Sequence, residues 1–242
     1  MVLRCSFFAE DYRVYGEISL MIQRMPEMSM IRHVDALEQF DLRPSGMAPL
    51  AIMRRTLVYH GDGRADYMVE RIDAKDTATG NDVQFHVASV KDGHPGAVCV
   101  VLKKIQQKQC VGYILLGRHW RVSVSSWQWE FPRGMGEEGE DPCRTAVREL
   151  AEETGISLPV TRARVMQTIH ADTGMLRDEV AVVALDCDYE DVSLQARDHE
   201  LPELYWVAVP VFEEMIGIGM VQDGLTLAAW TVVRAHETFS CT

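Results

Sequence analysis

The stretch GMGEEGEDPCRTAVRELAEETGI at 134–156 constrains this chain more than any other, because it sets both ends of a helix and then loads one face with acid. Asp141 stands where an N-cap carboxylate accepts from free helix N–H groups, Pro142 follows at the first helical position, and Gly155 supplies a left-handed terminator. The pattern predicts a helix over 142–154. With Arg148 at 0° on a wheel of about 100° per residue, Glu152 falls near 40°, Glu149 near 100° and Glu153 near 140°. Cys143, Val147, Leu150, Ala151 and Thr154 fall between about 200° and 300°. That face packs on a sheet, and Cys143 reads as core rather than ligand.

The acids sit where the helix disfavours them. Glu149 and Glu153, at i and i+4, repel by about 0.2–0.5 kcal/mol. Glu152 and Glu153 also occupy the last turn, the negative end of the helix dipole, where a cation is preferred. A solvated acidic face, partly relieved by Arg148 at i−4 from Glu152, would explain the charge alone, but it does not explain the fixed spacing around it.

That spacing is Gly134, five residues, Glu140, seven residues, Arg148-Glu149-Leu150, one residue, Glu152-Glu153, one residue, Gly155-Ile156. It resembles the Nudix box at every position. At about 7 % per residue type, seven fixed matches arise by chance roughly once in 10^8 starting points. Carboxylate oxygens suit Mg²⁺, with Mn²⁺ as the alternative, and such ions bridge to a diphosphate and activate water. The resemblance implies that Glu149 and Glu153 are principal metal ligands and Glu152 a further one. Gly134 or the Arg133 carbonyl completes the shell, and Arg148 orients the acids; Arg148, Glu152 and Glu153 are thereby catalytic positions.

The flanks resemble the branch of ADP-ribose pyrophosphatases and nucleotide-sugar hydrolases. In LLGRHWRVSVSSWQWEFPRG at 115–134, Arg118, Arg121 and Glu130 match positions that hold the diphosphate and sugar, and Arg133 replaces the usual alanine. Asp172-Thr173-Gly174 stands where the branch has serine-proline-glycine, which carries Gly174 over as a substrate position. The resemblance implies a base on the loop before the last strand, where QARDHELPE offers Glu200 and Glu203. Glu200 is the choice, with Glu203 or a box glutamate as alternatives. The resemblance covers about 97–238. It implies hydrolysis of ADP-ribose or a related nucleoside diphosphate sugar to a nucleoside monophosphate and a sugar phosphate. Alternatives are Nudix hydrolysis of dinucleoside polyphosphates, dinucleotide cofactors or nucleoside triphosphates, or a nucleotide-sugar-binding regulatory protein. A homodimer built through the N-terminal strands is also implied.

Strand-like runs fill 51–131: AIMRRTLVYH, ADYMVERI, DVQFHVASV, AVCVVL and CVGYILL, broken by turn signals. RARVMQTIH, EVAVVALDC and LYWVAV follow, then a helix over about 224–238 capped by Asp223. Strands around a central helix with a further helix at the end predict an α/β (α+β) fold with a mixed sheet, and the resemblance makes this a Nudix-type α/β/α sandwich. Residues 48–242 form the domain, with 48–96 its N-terminal strands. Residues 1–47 read as an extension, with Ile31, Val34, Leu37 and Phe40 at helical spacing.

The 36 acidic against 24 basic residues give a net charge of −12, which argues against nucleic acid or an anionic membrane as partner. The cysteines at 5, 99, 110, 143, 187 and 241 show no CxxC spacing, which fits a reduced, cytoplasmic compartment. There is no signal-like apolar start and no run of about eighteen apolar residues. His119, His170 and His199 read as packing or solvated, and Trp120, Trp127 and Trp129 as packing.

Overall fold

The computed structural model describes residues 48–61, 63, 66–105, 111–188 and 203–236. The chain divides into Met1–Pro49 and Leu50–Thr242. The helix expected within 1–47 lies outside the described residues.

Three strands, β1 (Leu50–His60), β2 (Tyr67–Asp76) and β3 (Asp82–Val90), pair antiparallel in that order. The β2–β3 turn is built by Asp76, whose Oδ1 accepts from the N–H of Ala78 and of Thr79 at 2.8 Å each. Gly80 then adopts φ 74°, which its missing Cβ permits. β1 leaves Ile52, Met53, Leu57, Val58 and Tyr59 about half exposed or more, at 49–65 %.

The larger sheet runs β10-β5-β4-β9-β8, from β4 (Gly96–Lys104), β5 (Val111–Arg121), β8 (Ala163–Ile169), β9 (Val180–Cys187) and β10 (Glu203–Ala208). β6 (Ser126–Glu130) adds to β5 and β7 (Arg133–Met135) to β4. β4 and β9 are parallel, Val98 opposite Val182, and the other pairings are antiparallel, so the sheet is mixed as expected.

Both faces of the central strands are covered, which is why β4 reads as a continuous apolar run. Val98, Val100 and Leu102 join Val182, Ala184, Phe212, Trp230 and Val233 in one core. Ala97, Cys99 and Val101 join Val183, Leu185, Ala146 and Leu150 in the other. Helix α1 (Pro142–Thr154) closes the second face; α2 (Val209–Gly217) and α3 (Gly224–His236) close the first. The result is the α/β/α layering expected from the sequence.

The ends of α1 match their signals. Asp141 Oδ1 accepts from the N–H of Cys143 at 3.0 Å and of Arg144 at 3.1 Å, and Gly155 terminates the helix at φ 75°. α3 is capped by Asp223, whose Oδ2 accepts from the N–H of Thr226 at 2.8 Å. Among the described residues, strands β6 and β7 and helix α2 were not anticipated. α2 follows β10 without a break, its N-cap Ala208 makes no side-chain bond, and Val209 reads as one more strand residue.

The candidate active site on the acidic helix

Two glycines in the segment that leads into α1, Gly134 in β7 and Gly136 just after it, let the backbone come close. A Cβ on Gly136 would stand 2.9 Å from the Pro95 carbonyl and 3.2 Å from Thr145 Oγ1, and one on Gly134 would stand 2.0 Å from the Glu149 carboxyl carbon. The loop therefore lies on the acidic face rather than beside it. Thr145 is buried by this approach and donates to Glu140 Oε2 at 3.0 Å.

Arg148 organises the acids. Its guanidinium donates to Glu140 Oε1 and Oε2 at 3.0 Å each, to the Met135 carbonyl at 2.9 Å, to Glu149 Oε1 at 2.9 Å and to Glu152 Oε2 at 3.0 Å. The Arg148 hydrogen bond, followed by the Glu137 N–H, lowers the Glu140 pKa to about 2. Burial pushes the Glu149 carboxyl above its ordinary range, opposed by Arg148. Glu149 thus carries a desolvation cost that an added cation would relieve.

Gly134, Glu149, Glu152 and Glu153 line one mainly polar cavity of about 300 Å³, together with Lys91, Arg133, Met135, Glu137 and Arg148. Among the described residues, no three His, Cys, Asp or Glu side chains converge as a ready metal cluster. Glu149 and Glu152 share Arg148 Nη1, while Glu153 Oε2 accepts from the Arg133 N–H at 3.2 Å. By chemistry the donor set still fits a hard divalent cation, since it offers carboxylate oxygens beside a glycine-cleared approach.

Next to the acids stands a second charged group. Glu130, only 1 % exposed, accepts from Arg121 Nε at 2.8 Å and from Arg133 Nη2 at 2.9 Å. Arg133 Nη2 also reaches Asp223 Oδ1 at 3.3 Å, tying the loop to the start of α3. Arg121 and Arg133 line a cavity of about 340 Å³ with Tyr67, Leu176, Val180 and Leu225, and a polar one of about 530 Å³ with Ser126, Gln128 and Gln222. Both open beside the acid cavity, which shares Arg133.

Other expected positions lie elsewhere. Arg118 stacks over Trp127 at 5.3 Å and Trp129 at 5.7 Å and comes within 3.6 Å of Glu203. The two-residue period of β5 points Arg118 opposite to Arg121 and sends His119, set aside in the sequence, to the cavity with Arg121, Glu153 and Gly134. Gly174, whose N–H donates to Asp172 Oδ1 at 2.7 Å, lines a separate cavity with His170 and Thr173, among β1–β3 residues. Glu203 sits on β10, accepting from Tyr205 Oη at 2.8 Å, away from the acids. Glu200 and His199 lie outside the described residues. Lys91, Met135, Glu137 and the Asp223 link were not singled out in the sequence; only Asp223 had a signal, as a cap. Cys99 donates to the Ala146 carbonyl at 3.3 Å and Cys143 packs on the same core, so both are structural thiols.

The NUDIX domain model matches residues 93–220, more than half of the 242-residue chain. An ADP-sugar pyrophosphatase of Mus musculus is 30 % identical over 115 residues, 48 % of this chain and 50 % of that protein. An RNA pyrophosphohydrolase of Sphingopyxis alaskensis is 44 % identical over 59 residues, 22 % of this chain and 37 % of that protein. The chain thus spans half or less of the length of these curated relatives. A solved structure described as an ADP compounds hydrolase superposes with a TM-score of 0.61 at 15 % identity, covering 79 % of this chain and 95 % of that one, which shows a shared fold. With Arg148, Glu149, Glu152 and Glu153 of the box gathered on α1 and the domain model spanning β4 to the residues before α3, the chain belongs to the Nudix family.

Proposed function

We propose that the protein is a divalent-metal-dependent pyrophosphatase that cleaves ADP-ribose or a related nucleoside diphosphate sugar. The products are a nucleoside monophosphate and a sugar phosphate. The observation that carries this reading is the adjacency of two charged groups of opposite use. The acids ordered by Arg148 share Arg133 with the Arg121–Glu130–Arg133 group. Glu149, Glu152 and Glu153 would hold Mg²⁺ or Mn²⁺, with Gly134 clearing the approach. Such an ion, when bound, supplies charge neutralisation at the diphosphate and a water of lowered pKa.

The chain's own residues do the rest. Arg148 keeps Glu149 and Glu152 oriented, and Glu140 keeps Arg148 oriented. Arg121 and Arg133, aligned by the buried Glu130, present donors to the diphosphate, and the two flanking cavities receive the halves it joins. Glu200 is proposed as the proton acceptor. The half-exposed apolar side chains of β1 support a homodimer through the N-terminal sheet, to be checked by light scattering. The free thiols of Cys99 and Cys143 support a reducing, cytoplasmic setting. Among the described residues no helix is long and apolar enough to cross a membrane.

The second reading, a polyphosphate or RNA-end hydrolase, is favoured by the relative from Sphingopyxis alaskensis, but the net charge of −12 opposes a polyanionic substrate. A purely regulatory binder would not need the acids, and all three are present. A substrate panel with Mg²⁺ decides among these. Release of AMP from ADP-ribose faster than turnover of dinucleoside polyphosphates, nucleoside triphosphates or RNA 5′ ends supports the proposal.

A further inference from the structure

Lys91 belongs to none of the motifs above, yet it is one of the residues that line the acid cavity. It lies in a single 3-10 turn, Lys91–Gly93, that follows β3, so it reaches the site from the N-terminal sheet rather than from the box. Its backbone is unusual. Among the described residues three that are not glycine have positive φ: Asp66 at 45°, Lys91 at 45° and Ser125 at 50°. Aspartate tolerates the left-handed region through its short polar side chain. Ser125 compensates locally, its Oγ donating to the Val122 carbonyl at 3.3 Å. Lysine has no such compensation, and glycine or asparagine would be the low-cost choice.

The strain is held by specific bonds. Lys91 N–H donates to the Asp66 carbonyl at 3.1 Å, and its carbonyl accepts from the His94 N–H at 3.0 Å. The charge is also unspent. Glu140, Glu149 and Glu152 pair with Arg148, and among the described residues none pairs with Lys91. A strained lysine with no ion pair among the described residues, lining a cavity of carboxylates, is suited to an anion that arrives from outside. Backbone strain retained at one residue points to function rather than stability.

We propose that Lys91 is a further substrate-binding residue, whose ammonium takes a phosphate oxygen of the bound diphosphate from the β3 side while Arg133 reaches it from β7. This rests on the diphosphate reading of the site. It also gives the N-terminal sheet a direct part in binding.

Three variants of the full chain test it: Lys91→Met, which keeps the length and loses the charge, Lys91→Gly, which relieves the backbone, and Lys91→Arg, which keeps the charge. Lys91→Met and Lys91→Gly lower kcat/KM for ADP-ribose by about 10–100-fold, as loss of a hydrogen bond to a charged group does, and Lys91→Arg recovers most of it. Lys91→Gly at the same time keeps or raises the unfolding midpoint of the metal-free protein, by up to about 4 °C. A merely structural lysine would not lose activity while holding stability. Full activity of Lys91→Met overturns the proposal, as does a loss confined to Lys91→Gly. If the wild type cleaves no diphosphate at all, the reading of the site fails. Lys91 is then judged by calorimetric titration of inorganic pyrophosphate with Ca²⁺ present. Binding at least about tenfold weaker in Lys91→Met than in the wild type upholds it; equal affinity, or no binding to either, overturns it.

Discussion

The Cα of Gly134 faces the Glu149 carboxyl so closely that a Cβ there would lie 2.0 Å from its carbon and 2.2 Å from each oxygen. The glycine is required for closeness and not for a special backbone angle, since Gly134 sits in β7. Gly134→Ala is expected to fold, judged by circular dichroism, and to displace Glu149. Displacing a catalytic group by about 1 Å costs about 10²-fold in activity, which steady-state assays of this variant would show.

Arg148 balances three carboxylates at once and is itself half-buried. Arg148→Ala should destabilise the metal-free protein by about 2–4 kcal/mol in urea unfolding, because it leaves uncompensated charge in a partly buried setting. Lysine cannot restore the five-bond pattern, since it lacks the planar fork, so Arg148→Lys should recover only a minor part.

The Glu140 carboxyl, held at about 2 by Arg148 and the Glu137 N–H, gives a pH signature. A depressed pKa contributes stability that is fully present above the ordinary value of 4.5 and lost as pH falls through about 2. Glu140→Gln should therefore be less stable than the wild type by about 1–2 kcal/mol at pH 7, and the gap should close between pH 4.5 and about 2. Denaturant unfolding across that range measures it.

Glu130 and Arg133 can be separated. Removing Glu130 leaves two guanidinium groups facing a buried space, whereas removing Arg133 leaves the Arg121–Glu130 pair intact. Glu130→Ala should cost about 3 kcal/mol of stability and Arg133→Ala about 1 kcal/mol or less. Arg133→Ala should raise KM for ADP-ribose about tenfold, through one lost charged contact.

Legibility in the sequence followed locality. α1 could be placed to the residue because Asp141, Pro142 and Gly155 each act within a turn of the helix end, and β4 and β9 because burial on both faces leaves continuous apolar runs. α2 could not, because its first residues extend a strand pattern without a capping side chain. Within the site, the box acids and Arg148 were legible as spacing on one helix. The split between Arg118 and Arg121 was not, because it depends on which face of β5 meets the cavity. Lys91 and the Arg133–Asp223 link were hidden for a similar reason: they join residues 40 to 90 positions apart, and only the folded sheet brings them together.

The acids of α1 are proposed to serve a diphosphate. The direct measurement is product analysis of ADP-ribose incubated with the wild type and with Glu153→Gln, with Mg²⁺ and with the metal chelated. AMP and ribose 5-phosphate are expected from the wild type with Mg²⁺, with a loss of at least about 10²-fold on chelation or in the variant. Unchanged cleavage in Glu153→Gln, or cleavage of no nucleoside diphosphate derivative by the wild type, would contradict it.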